Sequence, residues 1–276
     1  NLYYFNSESA LISKNSKVKI DFAIPVIHGE IGESGDIQSL LKLMNIPYFG
    51  SGPEESIICF NKISTKIWLN LLSIPNTPFT VLTHQNETNY LKALNFLKTH
   101  KEIFIKSSSQ GSSIGCYPVR TEQELKEFLP KSFLYSNQVI VEQLITGREL
   151  EVSVYEYDGT LHVSEPGEII CPEHFYSYEE KYNDSSKTIT KIKADNITED
   201  QKNKIMKYAK QAFEGLNLNH LSRIDFFLTS DNQILLNEIN TFPGMTPISM
   251  FPKMLEANGH SITNFLAQII NKKGKK

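Results

Sequence analysis

Two periods of apolar residues run along this 276-residue chain, one of two and one near 3.6, and each change of period marks a boundary between elements. Ile20-Asp-Phe-Ala-Ile-Pro-Val-Ile27 is nearly all apolar, which predicts a buried strand delivering the His28-Gly29 loop at its C-terminal end. Gly35 to Met44 places Ile37, Leu40, Leu41 and Met44 on one helical face, and Ile46 to Gly52 returns as a short strand and loop. From Ser56 to Leu72 the recurrence of Ile57, Phe60, Ile63, Ile67 and Leu71 predicts one longer helix, with Pro75 beyond its end. Thr77 to Leu82 and Ile103 to Lys106 read as strands around a helix from Glu87 to Thr99. After a helix from Glu122, Gln138 to Glu142 and Glu149 to Tyr157 are strand-like on either side of Gly147. Gln201 to Phe213 is an amphipathic helix, and Ile262, Phe265, Leu266, Ile269 and Ile270 mark another. Residues 172 to 188 fit neither period; their four aromatics, at 175, 176, 178 and 182, predict a closing lid rather than an aromatic-poor disordered segment.

The hairpin formed by Arg223-Ile-Asp-Phe-Phe-Leu and Ile234-Leu-Leu-Asn-Glu-Ile-Asn240 carries the first chemical signal. If Asp231-Asn232 is its two-residue turn, Asp225 lies directly opposite Glu238, and Arg223 opposite Asn240. Two carboxylates roughly 5 Å apart repel unless something neutralises them. Two carboxylates and an amide form an oxygen-only set suited to a hard ion such as Mg²⁺, which also takes substrate phosphates. Taken alone, the pair reads better as a solvated hairpin face.

Composition removes other classes. With 40% hydrophobic residues the chain can bury a core spread over two or three units. A net charge of -3 gives no field favouring nucleic acid or an acidic membrane, and the basic tail Lys272 to Lys276 reads as a frayed terminus. No apolar run approaches the roughly 18 residues of a membrane span, and the start lacks signal-peptide features, so a cytoplasmic enzyme is expected. Cys59, Cys116 and Cys171 are odd in number and lack C-x-x-C spacing, which predicts reduced, structural thiols. The abrupt start at Asn1, with no initiator Met, predicts that upstream chain is absent.

Lys106 ends a strand just before Ser107-Ser-Ser-Gln-Gly-Ser-Ser-Ile-Gly115, so an ammonium and the backbone N–H groups around Gly111, Ser112 and Ser113 could cradle a triphosphate. The loop fits neither the P-loop nor the Rossmann glycine pattern. Lys62 is a second candidate phosphate contact. Glu142, followed by Gln143-Leu-Ile-Thr-Gly147 and Glu149, would suit a segment whose backbone reads adenine and whose carboxylate takes ribose hydroxyls.

In order along the chain, Lys106 with its Ser/Gly loop, Val141-Glu-Gln-Leu-Ile-Thr-Gly-Arg-Glu149, Arg223-Ile-Asp and Asn237-Glu-Ile-Asn-Thr-Phe-Pro-Gly-Met-Thr246 resemble the ATP-grasp superfamily. Within it the chain resembles the D-alanine:D-alanine ligases, through His28-Gly-Glu-Ile-Gly-Glu-Ser-Gly35, Tyr176-Ser-Tyr-Glu-Glu-Lys-Tyr182 and Asn240-Thr-Phe-Pro-Gly-Met-Thr246. The resemblance runs from about residue 20 to the C-terminus. It implies an α/β fold with α+β elements in three domains: residues 1–61, 62–142 and 143–276, with the lid at 172–188 and ATP between the second and third. Lys62, Lys106 and Lys181 would hold phosphates, Glu142, Gln143 and Ile145 the adenine, and Glu149 the ribose. Asp225, Glu238 and Asn240 would bind two Mg²⁺ ions, with Mn²⁺ as a possible substitute. Arg223 and the Gly244 N–H would stabilise the tetrahedral intermediate; Ser112, Tyr182, Ser249, Met250 and His28 would orient D-alanine.

The implied reaction is ATP-dependent joining of two D-alanines through an acyl phosphate, for peptidoglycan precursors. A homodimer and K⁺ activation are implied as well. The chain departs from the family pattern at Ser107 for Pro, Gln143 for Lys and Ser34 for Asp, and it does not contain the N-terminal glycine-rich segment whose Glu binds the first substrate ammonium. Three alternatives stay open. These are a ligase joining D-alanine to D-lactate or D-serine, another ATP-grasp carboxylate–amine ligase, and a catalytically inactive nucleotide-binding fragment. Tyr182 counts against the first, because depsipeptide-forming relatives tend to replace this tyrosine.

Overall fold

The structure is a computed structural model that describes residues 4–5, 10–13, 16–27, 29–111, 114–170 and 188–273. At the N-terminus β1 (Tyr4–Phe5), β2 (Ala10–Ser13) and β3 (Ser16–Lys19) form an antiparallel ladder. Helices α1 (Glu30–Glu33), α2 (Asp36–Leu43), α3 (Pro53–Phe60) and α4 (Lys62–Leu71) follow. A four-stranded antiparallel sheet, ordered β4-β7-β5-β6, is built from β4 (Phe79–Leu82), β5 (Ile103–Ser107), β6 (Cys116–Val119) and β7 (Val139–Gln143). Helices α5 (Glu87–His100) and α6 (Glu122–Phe133) bury Leu94, Leu97, Leu125 and Leu129 against its Ile103, Ile105 and Val139.

The larger sheet has the order β11-β10-β8-β12-β13, with β9 paired to the far end of β8. Its strands are β8 (Gly147–Tyr157), β9 (Thr160–Val163), β10 (Gly167–Ile170), β11 (Ile189–Lys191), β12 (Leu221–Thr229) and β13 (Ile234–Asn240), all antiparallel. Between β11 and β12 lies α7 (Glu199–Gly215); α8 (Met250–Ala257) and α9 (Ile262–Lys273) end the chain. Strand alternation gives this sheet two different faces. Leu150, Val152 and Val154 of β8 and Ile224, Phe226 and Leu228 of β12 pack against Ile205, Ala209 and Phe213 of α7 and Leu69 of α4. Glu149, Glu151, Arg223 and Asp225, at the alternate positions, line a cavity on the other face.

Three sequence expectations need correction. Ile20 to Ile27 is not a buried strand: Ala23 makes a single parallel bridge to Tyr48, which is also all that remains of the strand expected at Ile46 to Gly52. Pro25 lacks an N–H, the chain turns locally through Val26 N–H to Ile24 O and Ile27 N–H to Pro25 O, and Val26 is 66% exposed. The helix from Ser56 to Leu72 is broken at Asn61, whose backbone is extended (φ -82°, ψ 105°) and whose side chain caps α4 by accepting from Ser64 N–H at 3.0 Å.

The third correction is the hairpin turn. Thr229 N–H bonds Gln233 O at 3.0 Å, so the loop is Ser230-Asp231-Asn232 with Asn232 left-handed (φ 65°). A bulge between Asp225 and Phe226 offsets this, pairing Phe226 with Leu236 but Asp225 with Glu238, as expected.

The break at Asn61 also ties two segments together. Lys62 N–H, an unpaired donor of the first helical turn, bonds Ser108 O at 2.9 Å, and Asn61 Nδ2 donates to Ser109 Oγ at 3.0 Å. Asn61→Ala should cost about 1 kcal/mol from the lost cap, lowering Tm by about 2–4 °C. A thermal melt checks this, and an unchanged Tm contradicts the capping role.

Candidate active site

Between the two sheets lies a cavity of about 570 Å³ whose lining includes Lys62, Lys106, Glu142, Arg223, Asp225 and Glu238. On its smaller-sheet side Glu142 is 2% exposed. Lys66 Nζ lies 2.7 Å from its Oε1, and Lys106 Nζ lies 2.5 Å from its Oε2. Burial alone would raise this carboxyl, but Lys106 and Lys66 outweigh it and hold the pKa at about 2. Burial would likewise lower Lys106, yet Glu142 outweighs it and raises that ammonium above its usual value. Burial dominates at Lys66 and lowers it. Both Glu142 oxygens are thereby held by lysines.

The strand end beyond Glu142 opens onto the cavity through Gln143, Leu144, Ile145 and Glu149. Gln143 N–H and Leu144 N–H are spent on Pro78 O (2.9 Å) and Glu102 O (3.0 Å). Lys62 Nζ donates to Gln110 O at 2.6 Å, so the helix start that caps α4 also grips the glycine loop.

On the larger sheet, register aligns Glu151, Asp225 and Glu238 in one cross-strand row and Ser153, Arg223 and Asn240 in the next. Arg223 holds Asp225 with two bonds, Nε to Oδ1 at 2.8 Å and Nη2 to Oδ2 at 2.7 Å, and its Nε lies 3.3 Å from Glu151 Oε1. Asn240 Nδ2 donates to Asp225 Oδ2 at 3.1 Å. Burial, with Glu238 nearby, raises Asp225 despite Arg223. The two acids thus carry the electrostatic conflict expected of the hairpin. The bulge turns Asn237 into the same cavity, and Lys106 Nζ reaches its Oδ1 at 3.4 Å, which joins the two sheets.

Beyond β13, Gly244 passes Ser249 so closely that an added Cβ would stand 2.7 Å from Ser249 Oγ. Met250 opens α8, packs on Ile169 and Met254, and lines the cavity with Ser249. His28, Ser112, Lys181 and Tyr182 lie outside the described residues, as does nearly all of the expected lid.

Sequence reasoning missed four lining or supporting residues. Lys66 stands one turn after Lys62 on α4, and Glu151 shares a strand face with Glu149; those spacings were readable. Asn237 enters only through the bulge. Glu33, 7% exposed, closes the short α1 by accepting from Gly29 N–H at 3.0 Å.

The antiparallel sheets gripping a cavity between a lysine-bearing strand and an acidic hairpin place the chain among the ATP-grasp ligases. Family models described as D-ala D-ala ligase N-terminus and C-terminus match residues 4–51 and 68–271. A D-alanine--D-alanine ligase of Vibrio cholerae serotype O1 is 52% identical over 98% of this chain and 82% of its own length, and one of Vibrio campbellii is 49% identical over the same shares. The crystal structure of D-alanyl-alanine synthetase A from Vibrio cholerae superposes with a TM-score of 0.94 at 51% identity, covering 99% of this chain and 82% of that one. A D-Ala:D-Ser ligase from Enterococcus faecalis gives 0.85 at 28%, covering 98% and 79%. The chain belongs to the D-alanine–D-alanine ligase family.

Burial raises Glu33 to about 7, with Glu238 adding to the effect and the Gly29 N–H and Arg223 opposing it. A carboxyl neutral in the fold contributes stability that is fully present below the ordinary value of 4.5 and is lost as pH rises through about 7. Glu33→Gln should therefore raise stability at pH 8 by about 1–3 kcal/mol and flatten the decline between those values. Denaturant melts of the unliganded protein at pH 5 and 8 measure it; equal losses in both proteins contradict the assignment.

Proposed function

We propose that this chain joins two D-alanines into D-alanyl-D-alanine at the expense of ATP, in the synthesis of peptidoglycan precursors. The observation that carries the reading is the convergence of Lys62, Lys106, Arg223, Asp225, Glu238 and Asn240 on one cavity. In this reading Lys62 and Lys106 hold ATP phosphate oxygens, Gln143 and Ile145 flank the adenine, and Glu149 takes the ribose hydroxyls. A carboxylate oxygen of the first D-alanine attacks the γ-phosphorus, the bond to the β-phosphate oxygen breaks, and ADP leaves an acyl phosphate. The amine of the second D-alanine then attacks the acyl carbon; Arg223 and the Gly244 N–H receive the charge that develops on its oxygen. Collapse expels inorganic phosphate, and the amine loses its proton. His28, Ser112, Lys181, Tyr182, Ser249 and Met250 are assigned the orienting roles stated above.

Asp225, Glu238 and Asn240 fit a divalent cation by donor type. They are oxygen donors, and the two acids are set close enough for Glu238 to raise Asp225. No cluster of three His, Cys, Asp or Glu side chains converges as a cation site among the described residues, so phosphate oxygens would have to complete the coordination. Bound Mg²⁺, two ions in this reading, would neutralise charge on the transferring phosphoryl group. Mn²⁺ substitution and K⁺ activation are carried over from the family resemblance alone.

Residues 62–142 and 143–276 are proposed as the two ATP-gripping units, with 1–61 as the remainder of a substrate domain. A homodimer is supported by exposed apolar residues on α2 and α4, Leu43 at 81% and Leu71 at 72%. A cytoplasmic location is supported by the free thiols Cys59 and Cys116. No helix among the described residues is long and apolar enough to cross a membrane.

Coupled ADP release tests the reaction: D-alanine should stimulate it and yield dipeptide, whereas D-lactate and D-serine should compete poorly as acceptors. Release indifferent to D-alanine contradicts the proposal. Glu238→Gln should abolish turnover, by more than about 100-fold, while circular dichroism and Tm stay near those of the parent. Parent-like turnover excludes Glu238 from the reaction.

A further inference from the structure

We propose that Lys66, outside the cavity and touching no substrate, is a positioning residue that keeps Lys106 competent to bind the ATP phosphates by occupying the second oxygen of Glu142. This rests on the assignment of phosphate binding to Lys106 made above.

The geometry separates the two lysines. Lys106 borders the cavity, whereas Lys66 is 2% exposed beneath it and bonds Thr77 O at 3.2 Å as well as Glu142. With one lysine, Glu142 and Lys106 would form a neutral pair, and an anionic triphosphate would meet a cation already balanced by its carboxylate. With two, the cluster carries a net charge of +1, being two ammonium groups and one carboxylate. Only Lys106 is placed to present that charge to a ligand. Each carboxylate oxygen is also held from its own side, so Glu142 cannot swing to follow Lys106. In a buried setting such unit charges interact strongly, because little water screens them.

The placement of Lys66 on α4 adds a second link. One turn earlier, Lys62 grips Gln110 O of the glycine loop at 2.6 Å, and Lys62 N–H holds Ser108 O at 2.9 Å. One helix therefore fixes the loop at its start and the phosphate lysine from below. A movement of α4 would reach both at once.

A purely structural role and the charge role part company in a double variant. Lys66→Met leaves Glu142 and Lys106 as a neutral pair. Lys66→Met combined with Glu142→Gln removes one charge of each sign and returns the cluster to +1 on Lys106. Calorimetric titration of the full chain with ADP and Mg²⁺ should show Lys66→Met weakening binding by more than about tenfold. The double variant should bind ADP more tightly than Lys66→Met. In turnover assays the loss should fall on KM for ATP, with KM for D-alanine little changed.

Parent-like ADP binding by Lys66→Met overturns the inference, and so does a double variant as weak as the single one, which would assign Lys66 to packing alone. Should Lys66→Met fail to fold, Lys66→Arg, which keeps the charge, and Lys66→Gln, which removes it, carry the test, and equal ADP binding by the two overturns the inference. Lys106→Met keeps the two readings apart. If that variant binds ADP like the parent, the phosphate assignment fails; if it binds poorly while Lys66→Met binds normally, only the role of Lys66 fails.

Discussion

Glu142 holds Lys66 on one oxygen and Lys106 on the other, at 2% exposure, and the rest of the site depends on that buried charge cluster. Removing one partner of a buried ion pair commonly costs about 3–5 kcal/mol, because the remaining charge is left without water or counter-ion. The cluster joins three elements that are distant in sequence: α4 through Lys66, β5 through Lys106 and β7 through Glu142. Lys106 then crosses the cavity to Asn237 of β13, so the smaller sheet touches the larger one through the same ammonium. A charge fixed in this way costs little reorganisation when an anionic ligand arrives.

The larger sheet solves the complementary problem of displaying acids without losing its core. Alternation sends Ile224 and Phe226 into the core and Asp225 to the cavity, while the bulge near Asn237 shifts parity so that Leu236 and Ile239 are both buried and Glu238 still faces Asp225. Arg223, clamped on Asp225 and close to Glu151, balances part of the negative row. Cations on one wall and acids on the other are what phosphoryl transfer requires, since positioning and charge compensation dominate its catalysis.

Much of this was legible in the sequence, for physical reasons. The strand at Ile103, the amphipathic helix over Gln201 to Phe213 and the hairpin strands each have a clear period, and all formed near the expected limits. The facing of Asp225 and Glu238 was readable even though the turn was misjudged, because an extra loop residue and a bulge cancelled. The break at Asn61 was obscured because the apolar period runs straight through it; only the capping geometry distinguishes two helices from one. Ile20 to Ile27 misled because an apolar run specifies a buried strand only where ladder partners exist. The adenine and ribose assignments around Glu142 and Glu149 rested on a short strand-end segment and on family resemblance. The pairing of Glu142 with two lysines depends on tertiary distances that no local pattern encodes.

The central claim is that the Glu142 carboxylate governs the charge state of Lys106, the lysine proposed to bind phosphate. The most direct measurement is the pH dependence of ADP binding by calorimetry in the parent and in Glu142→Gln. Glu142 raises Lys106 above its ordinary value, so its loss should move the alkaline fall in affinity to lower pH. An alkaline limb that stays in place in Glu142→Gln would contradict the account.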